Sequence, residues 1–360
     1  MIYLITNFFC LIYFYLYDYY FKKHSTRFFI SIGVVFFLAL LPAFQYGVGT
    51  DYFSYEDIFN TPLILEHYYK NDEYAFYYLV KIIYSIGFNA KSFFVIVSLI
   101  QSILILSIFN ILKKMGMFLP VVFFCFFTIT NLMHTQMNLI RASFSIYLFI
   151  TAILLRFNKE NLYSFICIII AILFHKSAAA VALFLLLPNR FYLFCYKHIL
   201  LIYLFSLIIF IINPFREIIY YFIQNFLPFY SPYLNSGIIN SNSISIINTF
   251  TKLYYLPIHI VFILLVLQKK ITLNKYEKII SGFWVLISNI YILTLHYDFF
   301  SRINYFFVFF YLFPALFTLN YFMKKKSIYF ILTLLYILSA YVIKVCLFPV
   351  AEFTYHTYII

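Results

Sequence analysis

Apolar runs of about 17–25 residues, long enough as helices to cross about 30 Å of hydrocarbon, recur along the whole chain between short polar connections. Candidate spans lie at about 2–21, 27–44, 92–112, 117–133, 141–157, 199–213, 251–268, 277–296, 302–322 and 326–346. Two segments break this rhythm. Residues 74–91, "YAFYYLVKIIYSIGFNAK", are interrupted by Lys81 and read as an interfacial helix that does not cross. Residues 161–187, "NLYSFICIIIAILFHKSAAAVALFLLL", are too long for one upright span and carry His175 and Lys176 in the middle, so they read as a hairpin of two short helices. The pattern predicts an all-α polytopic membrane protein. It has about ten full transmembrane helices, a re-entrant or short-helix hairpin and one interfacial helix, in a single transmembrane domain over 1–360.

Composition agrees with that pattern. The chain is 65% hydrophobic and 24% aromatic, only 10% charged, with a mean hydropathy of +0.95. A soluble domain of 360 residues would lack the polar residues to cover its surface. The first segment, "MIYLITNFFCLIYFYLYDYYF", has no basic leader and no small-residue cleavage site, and reads as a retained span. The cysteines at 10, 125, 167, 195 and 346 are scattered without a Cys-x-x-Cys pair, so neither disulfide nor metal is expected of them.

Charge sets the orientation. Basic clusters fall in short connections: Lys22/Lys23/Arg27, Lys113/Lys114, Arg156/Lys159, Arg190/Lys197, Lys269/Lys270/Lys275/Lys278 and Lys324/Lys325/Lys326. All can face the cytoplasm together if both termini lie outside, 74–91 does not cross and 161–187 is a hairpin. The net charge of +13 is then an orientation signal. It gives no support for nucleic-acid binding, since the basic residues form no aromatic-interleaved patch. The same assignment exports most of the 12 carboxylates, Asp51, Glu56, Asp57, Glu66, Asp72, Glu73 and Asp298 among them. It also makes 45–73 and 214–250 the two long extracytoplasmic loops, and loops of that length usually carry function.

Candidate chemistry collects on that outer face. "YGVGTDYFSYEDIFN" (46–60) concentrates scarce glycine and carboxylate in one place. Arg141 opens an apolar helix on the acidic side, either as an interface anchor or as a bidentate phosphate ligand. His175, Lys176 and Ser177 occupy the hairpin tip at the start of a short helix, a setting that attracts anions and where ionisable groups are costly unless used. His296, Asp298 and Arg302 crowd one outer connection, where Asp298 and Arg302 are spaced to pair on one helical turn. No glycine-rich phosphate loop, His/Cys cluster, nucleophile elbow or DxD metal motif is present. The expectation is metal-free and cofactor-free transfer on a lipid-borne anionic substrate. Arginines hold a phosphate leaving group, and a carboxylate or histidine activates a hydroxyl.

Four stretches resemble the EpsG-like proteins, which overlap the Wzy-type polymerases of bacterial surface polysaccharides. In order, they are "VGTDYFSYEDIF", "NLIRASFSIYLFI", "AILFHKSAAAVALFLLLP" and "FFSRINYFFVFFYLFP". The likeness runs over roughly 40–320. It departs mildly where Ala142 and Ser143 follow the arginine, and the C-terminal "FPVAEFTYHTYII" carries no weight in it. The resemblance implies a glycosyltransferase of O-antigen or exopolysaccharide biosynthesis in the bacterial inner membrane, its site facing the periplasm. A glycan would move from undecaprenyl pyrophosphate to the non-reducing-end hydroxyl of a lipid-linked repeat unit, with a chain-length regulator protein as a further partner. Asp51 is the first choice of base, with His175 and Asp298 as the other catalytic candidates. Arg141 and Arg302 are expected on the pyrophosphate, with Lys176 orienting the donor and Tyr52 and His296 at the substrate. Competing readings are an O-antigen ligase, a lipid-linked oligosaccharide flippase and a membrane O-acetyltransferase.

Overall fold

The computed structural model describes residues 2–212, 221, 224–225, 253–293, 301–349 and 351–358. Among them the chain is helical throughout and divides into two compact units. The first comprises Met1–Leu185 with Leu334–Ile360, the second Leu186–Thr333.

In the first unit, α1 (Ile2–Tyr19) packs against α2 (His24–Ala43), and α2 against the longest helix, α6 (Ala90–Lys114). Sequence sets both ends of α6. The Asn89 side chain accepts from the Ser92 N–H at 3.0 Å and caps its start. At the other end Gly116 takes φ +89°, so that Met117 N–H reaches back to the Leu112 carbonyl at 3.1 Å and closes the last turn. Between α2 and α6 lie three short helices, α3 (Tyr52–Asn60), α4 (Leu65–Lys70) and α5 (Tyr74–Ser85). Their apolar side chains share one buried cluster with the first turns of α6 and of α9 (Ile140–Phe157). Tyr52, Phe76, Val80, Phe93, Phe94, Ile140 and Phe144 belong to it. Tyr52 stacks on Phe94 with ring centroids 4.6 Å apart, which is how the 46–60 stretch is held down onto the bundle.

The expected span at 117–133 is broken. Helix α7 (Leu119–Cys125) runs into a π-helical turn over Phe126–Thr130. Asn131 then adopts the left-handed conformation (φ 55°), and α8 (Leu132–Asn138) leaves at 53°. Asparagine tolerates that conformation better than most residues, so the bend falls where the apolar run gives way to Thr130-Asn131. The hairpin at 161–187 forms as two short helices, α10 (Asn161–Phe174) and α11 (Ser177–Leu186), and α10 packs on α9.

In the second unit α12 (Asn189–Lys197) and α13 (Ile199–Ile212) pack on α15 (Lys275–Leu293), and α14 (Leu256–Leu267) packs on α17 (Leu312–Lys324). α16 (Ser301–Phe307) leads into α17 through a single 3₁₀ turn, and α18 (Ile328–Val342) carries the chain back to the first unit. Six helices among the described residues are long and apolar enough to cross a membrane, or eight if each of two bent pairs is one span. The protein is thus a multi-pass, all-α membrane protein. The expected spans at 251–268 and 277–296 are represented among the described residues by α14, with 12 residues or about 18 Å of helix, and by α15, which opens on Lys275, Glu277 and Lys278. The loop expected at 214–250 falls almost wholly outside the described residues.

Candidate functional site

The base of the 45–73 loop is assembled in the first unit around a glutamate. After α4 the chain turns through Asp72, which has φ +60°. Aspartate accepts the left-handed region more readily than most side chains. The turn delivers Glu73 to the start of α5 with its side chain only 5% exposed. Glu73 Oε2 accepts from Arg141 Nη1 at 2.5 Å, and Oε1 faces His175 Nδ1 at 2.8 Å. One buried carboxylate therefore joins the start of α9 to the tip of the α10–α11 hairpin.

The chemistry of each group follows from its partners. A carboxylate can only accept, so His175 carries its proton on Nδ1. In the neutral ring Nε2 then holds a lone pair, and it lies 3.2 Å from Ser177 Oγ. His175 itself ends α10 in extended conformation (φ −157°, ψ 121°), which lifts the ring out of the helix. The Arg141 guanidinium rests 4.9 Å over the Tyr68 ring, and Tyr55 Oη accepts from the Arg141 backbone N–H at 3.4 Å. That N–H belongs to the first turn of α9, where no carbonyl of the helix can reach it. Arg141 Nε is buried and has no hydrogen-bond partner. Burial pushes the Tyr55 and Tyr68 hydroxyls above the ordinary tyrosine range, with the Arg141 charge pulling the other way. Both therefore stay protonated and act as neutral donors or acceptors. The Tyr52 hydroxyl is raised by burial and then by Glu56.

Asp51 stands on the next turn of the same loop. It influences Tyr55 and Tyr68 electrostatically, the same two rings that Arg141 touches. Its carboxylate accepts from the Thr50 hydroxyl at 3.0 Å, a partner one residue away. The turn is fixed from below by Asn138, the last residue of α8. Its Oδ1 accepts the Thr50 and Asp51 N–H groups at 2.9 and 3.0 Å and the Thr50 hydroxyl at 3.3 Å. Gly49 is required here twice over. Its φ is +78°, and a Cβ would stand 2.5 Å from the Asn138 side chain. From the other side the C-terminal segment docks on residues 41–46. Tyr46 N–H donates to the His356 carbonyl at 2.9 Å, Tyr355 Oη to the Leu41 carbonyl at 3.1 Å and Tyr358 Oη to the Ala43 carbonyl at 2.8 Å. The C-terminal tail, which carries no weight in the family resemblance, is thus part of the loop's support.

The structure brings Asp51, Tyr52, Arg141, His175 and Lys176 into one unit, around the same loop and hairpin. Lys176 lies 3.6 Å from Asp72, with both side chains more than half exposed, so solvent screens the pair and Lys176 remains available to a ligand. Arg141 is not a free cation, because Glu73 already occupies one arm of its fork. His296 and Asp298 lie outside the described residues, and Arg302 belongs to α16 in the second unit. Glu73, Tyr55, Tyr68 and Asn138 were missed by the sequence reading, although Glu73 was among the carboxylates assigned to the outer face. An arginine and a histidine interrupting otherwise apolar runs each call for a polar partner, and that requirement was the available signal.

No curated protein and no solved structure gives a significant match to this chain. A loop held against two helix termini, with a buried acid between an arginine and a hairpin histidine, is nonetheless spread over the segments where the sequence carries a family signature. The model of the EpsG family matches residues 27–359, and on that match the chain belongs to the EpsG family of Wzy-like polysaccharide polymerases.

Proposed function

We propose that this protein is the polymerase that extends a bacterial surface polysaccharide at the periplasmic face of the inner membrane. It would move a glycan from undecaprenyl pyrophosphate to the non-reducing-end hydroxyl of a lipid-linked repeat unit. The observation that carries the reading is the Glu73 carboxylate clamped between Arg141 and His175 at the base of the acidic loop, supported by family membership. A transfer of this kind needs a proton acceptor beside a cation.

In this reading His175 Nε2 takes the proton of the acceptor hydroxyl, directly or through Ser177 Oγ, while Glu73 holds the ring and balances the imidazolium that forms. The acceptor oxygen bonds to the anomeric carbon, the bond from that carbon to the pyrophosphate oxygen breaks, and undecaprenyl pyrophosphate leaves with the electron pair. The remaining N–H groups of Arg141 and the Lys176 ammonium meet the charge gathering on the leaving oxygen. Asp51 and Tyr68 offer carboxylate and hydroxyl contacts to sugar, whereas Tyr52, expected at the substrate, is buried against Phe94 and holds the loop down instead. We favour His175 over Asp51 as base because a carboxylate already fixes its tautomer, whereas among the described residues the Asp51 carboxylate is hydrogen-bonded to the neighbouring Thr50 hydroxyl and to no group that would orient it for proton transfer.

The surface glycan of a deletion strain tests the function. A single repeat unit on the surface carrier supports polymerase. Free polymer with unsubstituted acceptor means ligase, and repeat units retained on lipid inside the cell mean flippase.

A further inference from the structure

A second concave feature of the first unit lies at the far end of α6. That helix has 25 residues, about 37 Å of rise. Its first turns pack beneath α3, and its last turns line a cleft of about 330 Å³ between α1, α2 and α6. Tyr17, His24, Arg27, Ser31, Asn110 and Lys114 supply the polar lining. The cleft and the Glu73 site are therefore separated by roughly the thickness of a bilayer.

The charge of this cleft is unbalanced. The nearby carboxylate, Asp18, is already engaged by Lys113 Nζ at 2.7 Å and the Leu119 N–H at 3.0 Å. Neither Arg27 nor Lys114 has an ion-pair partner among the described residues. Arg27 is positioned rather than loose. It rests 5.1 Å over the Phe21 ring and donates Nη1 to the Phe21 carbonyl at 3.2 Å, which leaves the rest of its planar fork for a ligand. The first turn of α2 opens on the same cleft, and its N-cap residue Lys23 makes no side-chain capping bond. Uncapped N–H groups and the helix dipole add to the attraction for an anion. Beside these groups the wall turns apolar. Phe28 lines the cleft at 60% exposure, and Phe29 follows at 71%. A free phosphate has no use for that wall, whereas an amphiphile does.

We propose that this cleft binds the phosphodiester headgroup of an anionic phospholipid, with its acyl chains running along α2 past Phe28. Arg27 and Lys114 grip the phosphate oxygens; Tyr17 donates its hydroxyl to Asn110 Oδ1 and Ser31 to the Phe28 carbonyl, so the Asn110 amide N–H groups are what this wall offers to headgroup oxygens. The bound lipid fastens the start of α2 to the end of α6, at the opposite face from the loop these helices support.

The test is native mass spectrometry of the purified full chain with phosphatidylglycerol, phosphatidylcholine and inorganic phosphate as probes. Wild type is expected to retain phosphatidylglycerol in preference to phosphatidylcholine. Lys114→Gln and Arg27→Gln should each weaken retention roughly fivefold, and the double substitution roughly 25-fold if the two act independently. Lys114 is exposed, so its substitution carries the test even if Arg27→Gln does not fold. Lys159→Gln, which alters a different basic cluster, should leave retention unchanged. Equal retention of the two lipids, or equal loss in Lys159→Gln, overturns the site. Displacement of the lipid by millimolar inorganic phosphate, with the same dependence on Arg27 and Lys114, keeps the phosphate chemistry but overturns the lipid as its source.

Discussion

Replacing Glu73 by glutamine changes one oxygen to nitrogen in a side chain that is only 5% exposed, and so leaves the packing intact. The consequences are electrostatic and tautomeric. Two hydrogen bonds lose their charge assistance, the 2.5 Å contact with Arg141 and the 2.8 Å contact with His175. Bonds to charged groups contribute about 1.5–3 kcal/mol and neutral ones about 0.5–1.5 kcal/mol, so the pair should lose about 2–3 kcal/mol. Arg141 keeps part of its hydration, with its side chain 26% exposed, which holds the loss below the roughly 3–5 kcal/mol of a fully buried pair broken on one side. The larger effect is on His175. If the new amide oxygen turns to Arg141, its NH₂ faces Nδ1 and forces the proton of the neutral ring onto Nε2. The lone pair then points at the amide instead of the acceptor. Loss of an oriented base costs about 10²–10⁴-fold in rate. The assay is glycan transfer between purified lipid-linked repeat units by the reconstituted protein, alongside a thermal unfolding midpoint in the same detergent. A lower midpoint with at least a hundredfold slower transfer is expected. Normal transfer per folded molecule, at any midpoint, would make Glu73 a structural ion-pair partner and refute His175 as base.

Three further outcomes are expected. Arg141→Lys keeps the charge but loses the planar fork over Tyr68, so polymer length should fall sharply at unchanged protein abundance; normal polymer from that variant would make Arg141 a membrane anchor. Asn138→Ala removes the single oxygen that accepts three hydrogen bonds from residues 50 and 51. It should cost about 1–3 kcal/mol and expose the 46–60 stretch to proteolysis in membrane vesicles, whereas an unchanged cleavage pattern would mean that the aromatic cluster alone holds the loop. Reporter fusions after Lys114, Lys159, Lys270 and Lys326 should read as cytoplasmic and those near Glu56 and Ile239 as periplasmic, and an inside signal near Glu56 would remove the acidic loop from the outer face.

What the sequence made legible, and what it hid, divides along a physical line. Hydropathy adds up along the chain, so helices such as Ala90–Lys114 and Ile140–Phe157 could be read from run length, and the cost of His175 and Lys176 at apolar depth marked the hairpin break. Partners are not additive along the chain. Glu73 meets Arg141 across 68 residues and His175 across 102, and what aims its side chain is a left-handed backbone at Asp72 that no hydropathy window registers. The break at Asn131 was hidden for the same reason, since its flanks remain apolar enough to pass as one span. Docking of Tyr355 and Tyr358 on the Leu41 and Ala43 carbonyls joins segments more than 300 residues apart, beyond the reach of any local pattern. A sequence does state which groups the membrane cannot leave alone. An arginine and a histidine interrupting apolar runs on an acid-rich face each called for a polar partner, and the fold meets both demands with one carboxylate. That economy makes the site sensitive: a single substitution at Glu73 removes the partner of both Arg141 and His175 at once, whereas Asp72 and Lys176, paired in solvent, can be lost separately at little cost.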